Sequence, residues 1–228
     1  EYVSDDFIED MAQQYGEDVR NPLINTYYGP SFSNDEVEAA LKNCKVSYRK
    51  LNDPSQSAAD LLEQGKIIAW FQDKMEFGAR ALGNRSILAN PTYPNMKLKV
   101  NDEVKYRENW RPFCPSMAIE RKEDYLVNPN EASFMIVAYH MPEATKCAVP
   151  AIVHVDGTVR PQVVSEESND RFYHLIHNLG KKTGHPIVMN TSFNVRGEPI
   201  IATPLEAIRC FYSNGLDALI MEDFILEK

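Results

Sequence analysis

Short apolar runs alternate with amphipathic helical patterns along most of this chain of 228 residues. Residues 66–72 and 185–193 have the length and composition of buried strands, whereas residues 57–65 and 169–184 have the spacing of helices. No apolar run approaches the roughly 20 residues that a membrane-spanning helix needs. Because the alternation is irregular, it predicts an α/β (α+β) fold, in which a mixed, twisted β-sheet is flanked by helices.

Two helices have clear start signals. Ser33 is followed three residues later by Glu36, the spacing of a capping box, which predicts a helix over 34–43. The same spacing recurs after Thr203, with a proline at the first helical position, and it predicts a helix that ends before Gly215.

Residues 94–109 are helical in composition, and most of the other segments are extended in pattern. Asp156-Gly157 lies between two alternating runs and predicts a β-hairpin over 151–164. Single extended segments are predicted at 45–51, 111–119, 133–141 and 217–228.

The first 30 residues differ from the rest of the chain. Residues 1–30 are acidic and contain Pro22, Gly29 and Pro30 towards their end. Since the chain does not begin with methionine, we interpret them as the tail of a preceding domain or as a linker. Residues 31–228 are predicted to form the domain itself, and their number suffices for a sizeable hydrophobic core.

The overall composition is that of a globular protein, with 43% hydrophobic and 25% charged residues. The net charge of −9 argues against general binding to nucleic acids or anionic membranes. The four cysteines are scattered without a CxxC pair, which fits buried thiols in a reducing compartment better than disulfides or a zinc site. The predicted location is therefore cytoplasmic.

Positive charge is concentrated in one part of this acidic chain. Residues 74–111 carry a net charge of +4, which leaves −13 for all other residues. This window contains Arg80 and Arg85 beside Gly78 and Gly83, in the stretch MEFGARALGNRSILANP. Two guanidinium groups next to glycines can hold a phosphate or carboxylate closely, and a solvated charged face is the alternative. No GxxxxGK[ST] P-loop occurs anywhere in the chain.

A second cluster of basic residues follows in KYRENWRPF, residues 105–113. Lys105, Arg107 and Arg111 are potential donors to an anion, and Trp110 can stack on a base. The alternative is a basic helix end favoured by the helix dipole. Spacing alone does not separate the two interpretations.

Polar side chains follow the strand predicted at 185–193. Asn190, Ser192 and Asn194 precede Arg196 in MNTSFNVRGEP, and the ends of strands in open α/β sheets are where ligands bind. The alternative is a turn whose polar side chains satisfy their own backbone.

Two weaker features complete the set. Arg160 and Gln162 lie on one face after the predicted hairpin, where a solvent-exposed face is the simpler interpretation. His174 and His177 have the i,i+3 spacing of a metal pair, but no third ligand of fixed spacing accompanies them.

No serine or cysteine lies in a nucleophile motif such as GxSxG. The chain is rich in anion-binding groups and poor in nucleophiles, which favours phosphoryl or nucleotidyl transfer by positioning and charge neutralisation.

Four ordered motifs resemble a known family: WFQDKMEFGARALGNRSILANP, KYRENWRPFCPSM, HVDGTVRPQVV and PIVMNTSFNVRGEPIIATPLEAIRCF. Together they resemble the C-terminal domain of the O-carbamoyltransferases, which include the nodulation-factor, cephalosporin and nebramycin carbamoyltransferases. The resemblance covers about residues 61–228. The family pattern GRMEFGPRALG is DKMEFGARALG here, so Lys74 keeps the charge of the arginine but not its planar fork.

The resemblance implies a YrdC/Sua5-like fold that forms carbamoyl adenylate from carbamoyl phosphate and ATP and releases pyrophosphate. It implies that Mg²⁺ arrives with ATP and that this chain has no metal site of its own. A separate N-terminal domain of the same polypeptide, similar to actin-like ATPases, is implied to carry a further metal and to transfer the carbamoyl group to a hydroxyl acceptor. Neither nucleic acid nor membrane is an expected partner.

The motifs also allow roles to be expected for individual residues. Four are expected to be catalytic by neutralising the phosphates and the developing charge: Arg80, Lys105, Arg111 and Arg160. Six are expected to contribute to binding of the nucleotide: Arg85, Arg107, Asn190, Ser192, Asn194 and Arg196. Asn190, Ser192 and Asn194 are expected to hold the nucleotide or its phosphates, and Arg196 to close over the phosphates. Arg85 and Arg107 are second choices for contacts with the phosphates, because either could brace the loop instead. Two other functions stay open, a non-catalytic nucleotide- or RNA-binding module and a threonylcarbamoyl-adenylate synthase that uses threonine and bicarbonate.

Overall fold

A computed structural model describes residues 24–130 and 132–228. In these residues the chain forms a mixed sheet of eight strands, helices that pack on it, and a separate sheet of two strands. The predicted α/β (α+β) class is confirmed.

Seven α-helices lie in the described residues: α1 (Asn34–Cys44), α2 (Pro54–Glu63), α3 (Met96–Val100), α4 (Lys122–Tyr125), α5 (Glu143–Lys146), α6 (Asp170–Thr183) and α7 (Pro204–Tyr212). Both predicted capping boxes are confirmed. At the start of α1 the Glu36 N–H donates to Ser33 Oγ at 3.3 Å, and the Ser33 N–H donates to the Glu36 carboxylate at 2.8 Å. Thr203 and Glu206 repeat this arrangement at α7, so side chains satisfy N–H groups that the first turn leaves unpaired.

Ten strands are described: β1 (Arg49–Lys50), β2 (Ile68–Phe71), β3 (Arg85–Ala89), β4 (Cys114–Ala118), β5 (Tyr139–His140), β6 (Thr158–Val159), β7 (Gln162–Val164), β8 (Ile187–Ser192), β9 (Ala218–Met221) and β10 (Phe224–Glu227). The large sheet has the order β1-β10-β9-β2-β3-β8-β4-β7. The pairs β2–β9 and β4–β7 are parallel, and the other pairs of this sheet are antiparallel.

A hydrophobic core lies on each face of the large sheet. Ile68 and Trp70 pack in one core with apolar residues of α2 and α6. Ala69 and Phe71 lie in the other core, which contains residues of α1 and α7. Because successive side chains of a strand point to opposite faces, β2 is apolar throughout and serves both cores.

The predicted hairpin over 151–164 is wrong in its first arm. The turn at Asp156-Gly157 forms, and the Gly157 N–H donates to the His154 carbonyl at 2.9 Å, but Pro150–Ile152 is a 3₁₀ helix. β6 pairs instead with β5, which comes from the extended segment predicted at 133–141. Proline has no N–H for a ladder and favours the first position of a helix, which explains the difference.

The predicted final strand over 217–228 is two strands, β9 and β10. They form an antiparallel hairpin in which Met221 pairs with Phe224. The turn places Glu222 at φ 47°, a conformation for which glycine or asparagine is the usual sequence signal. Since neither residue is present, the sequence pattern gave no indication of the turn.

The segment before α1 packs on the loop that joins β2 to β3. The Gly29 N–H donates to the Met75 carbonyl at 2.9 Å, and the Tyr27 hydroxyl donates to the Leu82 carbonyl at 2.8 Å. The prediction of a tail or linker over 1–30 falls mainly on residues 1–23, which lie outside the described residues. No helix within the described ranges is both long enough and apolar enough to cross a membrane.

Candidate active site

Three strand ends meet at one edge of the large sheet. β8 is antiparallel to both β3 and β4, so its C-terminal end lies beside the beginnings of these two neighbours. Ser192 pairs with Ser86, and Asn190 pairs with Cys114. This register brings together the loop before β3, the segment before β4 and the loop after β8, which carry most of the predicted site residues.

Two adjoining cavities open at this edge, the first of about 120 Å³ and the second of about 210 Å³. Nine of the ten predicted site residues line them: Arg80, Arg160 and Asn190 the first, Lys105, Arg111, Asn194 and Arg196 the second, and Arg107 and Ser192 both. The cavities therefore share a wall, and the structure brings together basic residues from four separate segments of the sequence.

Arg85 is the predicted site residue that the structure does not bring to either cavity. Its side chain is fully buried and lies over the Phe71 ring, 3.6 Å from the ring centroid. The guanidinium donates to the carbonyl oxygens of Gln72 at 2.6 Å, Asn84 at 3.0 Å and Pro30 at 3.0 Å. Burial lowers the pKa of Arg85 to about 10. Of its two expected roles, bracing the loop is the one that this geometry supports.

The loop that carries Arg80 is folded around Glu76, a residue to which the sequence analysis gave no role. One carboxylate oxygen of Glu76 accepts the backbone N–H groups of Leu82, Asn84 and Arg85 at 2.7, 2.7 and 3.1 Å. Gly83 has a φ of 106°, and a Cβ on it would lie 2.3 Å from the Phe172 ring. A side chain at this position would therefore push the loop away from α6.

The helix predicted over 94–109 ends earlier in the structure, in a π-helical turn, Asn101–Lys105. Lys105 is the last residue of this turn. Its ammonium group donates to the carbonyl oxygens of Ser192 at 2.6 Å and Asn194 at 2.9 Å, and to Asn194 Oδ1 at 2.8 Å. These acceptors favour the charged amine, but burial first and the nearby Arg107 second lower the pKa of Lys105 to about 7. Lys105 thus holds the turn after β8 in place.

Arg111 and Arg196 both lie close to the Glu108 carboxylate. Arg111 Nε is 3.4 Å from the Glu108 carboxylate, and Arg196 Nη2 is 4.0 Å from it. The side chains of both arginines are about half to two thirds exposed, at 48% and 67%, so these ion pairs are weak and open to exchange. A polyphosphate entering the second cavity can replace Glu108 as their partner.

Arg107 stands between the two cavities in a fixed orientation. Its Nε donates to Asn101 Oδ1 at 2.7 Å, and its guanidinium lies 4.5 Å from the centroid of the Phe113 ring. Burial lowers the pKa of Arg107, and the charge of Arg111 lowers it further. An anion in either cavity would relieve this crowding of positive charge.

Two buried polar atoms at the first cavity have no hydrogen-bond partner among the described residues: Arg160 Nε and Asn190 Oδ1. Arg160 is held by a contact of its Nη2 with Cys114 Sγ at 3.3 Å. Buried polar groups are satisfied in most native structures, so a bound ligand or an ordered water molecule is expected to supply the partners of these two atoms.

Trp110 lies close to the first cavity. Trp110 is 68% exposed and borders a depression of about 310 Å³ that shares Pro112 with the first cavity.

A larger cleft of about 870 Å³ lies elsewhere on the molecule. Six carboxylates line it, among them Asp73, Glu166 and Glu222, and Arg171 is the single arginine in its lining. An excess of negative charge makes this cleft unsuited to phosphates, although it is the largest one described.

The two histidines that have the spacing of a metal pair have acidic neighbours. His174 lies 3.1 Å from Asp170 and 3.6 Å from Glu166, and all three side chains are exposed. His177 contacts Glu120 instead. Exposed groups of this kind occur often without a metal ion.

The sequence of residues 59–228 matches the family described as Carbamoyltransferase C-terminus. The chain belongs to this family. An uncharacterized protein of Methanocaldococcus jannaschii is 38% identical over 224 residues, which cover 95% of this chain and 37% of that protein. Nodulation protein NolO of Bradyrhizobium diazoefficiens is 38% identical over 215 residues, which cover 92% of this chain and 39% of that protein. This carbamoyltransferase C-terminal chain thus spans less than half the length of these curated relatives.

Solved structures of HypF share the fold of this carbamoyltransferase C-terminal chain. Full-length HypF in its phosphate- and nucleotide-bound form has a TM-score of 0.54 and 18% identity, covering 75% of this chain and 25% of HypF. HypF of T. kodakarensis has a TM-score of 0.52 and 17% identity, covering 79% of this chain and 22% of that protein. At such identities the similarity shows the fold alone. The predicted family and the predicted fold class are both confirmed.

Proposed function

We propose that this chain binds carbamoyl phosphate and ATP in the two adjoining cavities and joins them into carbamoyl adenylate. The observation that supports this proposal is the convergence of five arginines on cavities where Glu198 is the one carboxylate among the described lining residues. Membership of a carbamoyltransferase family supports a transferase activity. The HypF structure of the same fold contains phosphate and a nucleotide.

The proposed reaction consumes one water molecule. The bond that joins the carbamoyl group to phosphate breaks with addition of water, which gives carbamate and inorganic phosphate. A carbamate oxygen then attacks the α-phosphorus of ATP, the bond from that phosphorus to the bridging oxygen breaks, and pyrophosphate leaves. Negative charge increases on phosphoryl oxygens in both steps, and arginines fixed around them lower the barrier without acting as bases.

The positions of the arginines suggest how the two substrates are placed. Arg80 and Arg160 contact carbamoyl phosphate in the first cavity, whereas Arg111 and Arg196 contact the phosphates of ATP in the second. Arg107, in the shared wall, neutralises the oxygens on which the two substrates meet. Planar guanidinium groups suit this work because each can donate two parallel hydrogen bonds to one phosphate.

The described residues fit ATP better than a metal ion at this edge of the sheet. The lining is cationic, so Mg²⁺ enters bound to the ATP phosphates and keeps mostly water as its other ligands. Lys105 and Asn194 shape the turn around the phosphates, and Trp110 is exposed for stacking on adenine. The carbamoyl adenylate formed is passed to a transfer domain that lies outside this chain, for a hydroxyl acceptor.

The four cysteines of the chain are all free thiols. Free thiols persist in a reducing compartment, and both substrates are metabolites of the cytoplasm, so we place the reaction there. A net charge of −9 makes an RNA-binding module a weaker alternative.

Release of pyrophosphate from ATP tests this proposal. The chain is incubated with ATP and Mg²⁺, together with carbamoyl phosphate in one mixture and with threonine plus bicarbonate in the other. We expect release only with carbamoyl phosphate, and we expect Arg160→Met to abolish it. Release only with threonine plus bicarbonate would identify a threonylcarbamoyl-adenylate synthase. Release in neither mixture, with ATP still bound, would favour a binding module.

A further inference from the structure

The orientation of the Asn190 side chain is fixed by a chain of hydrogen bonds that begins at a backbone carbonyl. The Leu82 carbonyl accepts the Gln162 amide N–H at 2.8 Å, so the oxygen of that amide faces the other way. Gln162 Oε1 accepts the Ser116 hydroxyl at 2.7 Å. Ser116 Oγ in turn accepts from Asn190 Nδ2 at 2.9 Å. Because the Leu82 carbonyl oxygen can only accept, it determines which group donates and which accepts in every later hydrogen bond of the series.

This chain of hydrogen bonds leaves one atom of Asn190 unused. Its Nδ2 is committed to Ser116 and also lies 3.3 Å from the Ala81 carbonyl. Its Oδ1 is buried and has no partner among the described residues, and the residue as a whole is only 1% exposed. Asn190 therefore presents a fixed, unpaired acceptor at the first cavity.

An acceptor at this position selects the kind of ligand. Deprotonated phosphate oxygens can only accept, so they cannot bond to Asn190 Oδ1, and a ligand group with an N–H or O–H donor is required. The unpaired Arg160 Nε is a donor on the same cavity and needs an acceptor. The carbamoyl group offers both, because its amine donates and its carbonyl oxygen accepts.

We propose that the first cavity recognises the carbamoyl group itself, with Asn190 Oδ1 accepting its amine and Arg160 donating to its carbonyl oxygen. Ser116 and Gln162 are positioning residues that act through Asn190. Asn190 then distinguishes carbamoyl phosphate from acyl phosphates that lack the amine, and it does not contact the nucleotide phosphates as the sequence led us to expect. This inference rests on the proposed function, since it names the group of the substrate that the cavity selects.

Calorimetric titration of the 228-residue chain with three phosphates tests the inference. Carbamoyl phosphate is compared with acetyl phosphate, in which a methyl group replaces the amine, and with inorganic phosphate. We expect carbamoyl phosphate to bind about tenfold or more tightly than acetyl phosphate, since the methyl group leaves a buried acceptor unpaired. Equal affinities for these two would overturn the inference and leave the proposed function standing. Failure of all three phosphates to bind would overturn both.

Two variants separate recognition from phosphate binding. Asn190→Ala should bring the affinity for carbamoyl phosphate down to that for acetyl phosphate, with the affinity for inorganic phosphate unchanged. Ser116→Ala removes one buried hydroxyl and should reduce the same ratio in part, because Asn190 is then less firmly oriented. A variant chain that binds inorganic phosphate normally and still prefers carbamoyl phosphate by the wild-type factor would contradict the assignment.

Discussion

Replacement of Lys105 by methionine gives the most quantitative test of the electrostatics at this site. In the folded chain Lys105 is 4% exposed, and burial lowers its pKa to about 7 from the 10.5 of a free lysine. Between these two values the unfolded chain holds a proton that the folded chain has lost. Stability rises with pH wherever the unfolded state binds more protons, so Lys105 makes the folded chain more stable as pH rises from 7 to about 10.5.

The size of the effect follows from the same two pKa values. One proton of difference changes the free energy of unfolding by about 1.4 kcal/mol per pH unit. From pH 7.5 to 9.5 the wild-type chain should therefore gain about 2.5 kcal/mol relative to Lys105→Met, after allowance for partial titration at both ends. Subtracting the variant removes the contributions of all other titrating groups that the two chains share.

Urea unfolding of both chains at pH 7.5, 8.5 and 9.5 measures this difference. Lys181→Met, which removes an exposed lysine from α6, is the matched control, and its difference from the wild type should not show this dependence. A difference between wild type and Lys105→Met that stays constant over the two pH units would refute the reasoning. It would mean that the three oxygen acceptors named above, rather than burial, determine the protonation of Lys105.

Three further predictions concern residues with distinct roles. Arg85→Met should lower the free energy of unfolding by about 3 kcal/mol in urea titrations, because the three hydrogen bonds from its buried guanidinium to backbone carbonyls are lost. A loss of affinity for inorganic phosphate in a variant that still folds normally would contradict its bracing role. Trp110→Ala should weaken ATP binding several-fold in calorimetry and leave carbamoyl phosphate binding unchanged; equal weakening of both would exclude stacking on adenine. Thr203→Ala should cost about 1 kcal/mol of stability through loss of the α7 cap, and an unchanged thermal midpoint would show that the cap contributes nothing.

The fold could be predicted from sequence wherever local signals and burial agree. The capping boxes at Ser33 and Thr203 and the apolar stripe of α6 were sufficient because each lies within one turn or one helix face. The turn at Glu222 could not be predicted, since it adopts a positive φ without glycine. The partner of β6 could not be predicted either, because strand pairing over a long separation depends on the rest of the sheet and not on the local pattern.

The candidate site was predictable as a set of residue types and less so as a set of contacts. Nine of ten expected residues converge because they lie at strand ends that the sheet brings together. Sequence could not show that Arg85 points into the core, since Arg80 is in the same loop and has the same chemistry. It also could not show that the Lys105 ammonium group donates its hydrogen bonds to the turn after β8, or that Ser116 orients Asn190. These contacts join residues that are far apart in the chain.

The central claim is that arginines from separate segments act on the same bound phosphates. Calorimetric titration of Arg80→Ala with carbamoyl phosphate tests it most directly, with Arg49→Ala as the control, since Arg49 lies on β1, the outermost strand of the sheet and four strands from β3. We expect Arg80→Ala to weaken binding by roughly 10- to 100-fold, the loss of a charge-assisted hydrogen-bonded pair, while Arg49→Ala binds like the wild type. Equal affinities in all three chains would contradict the claim.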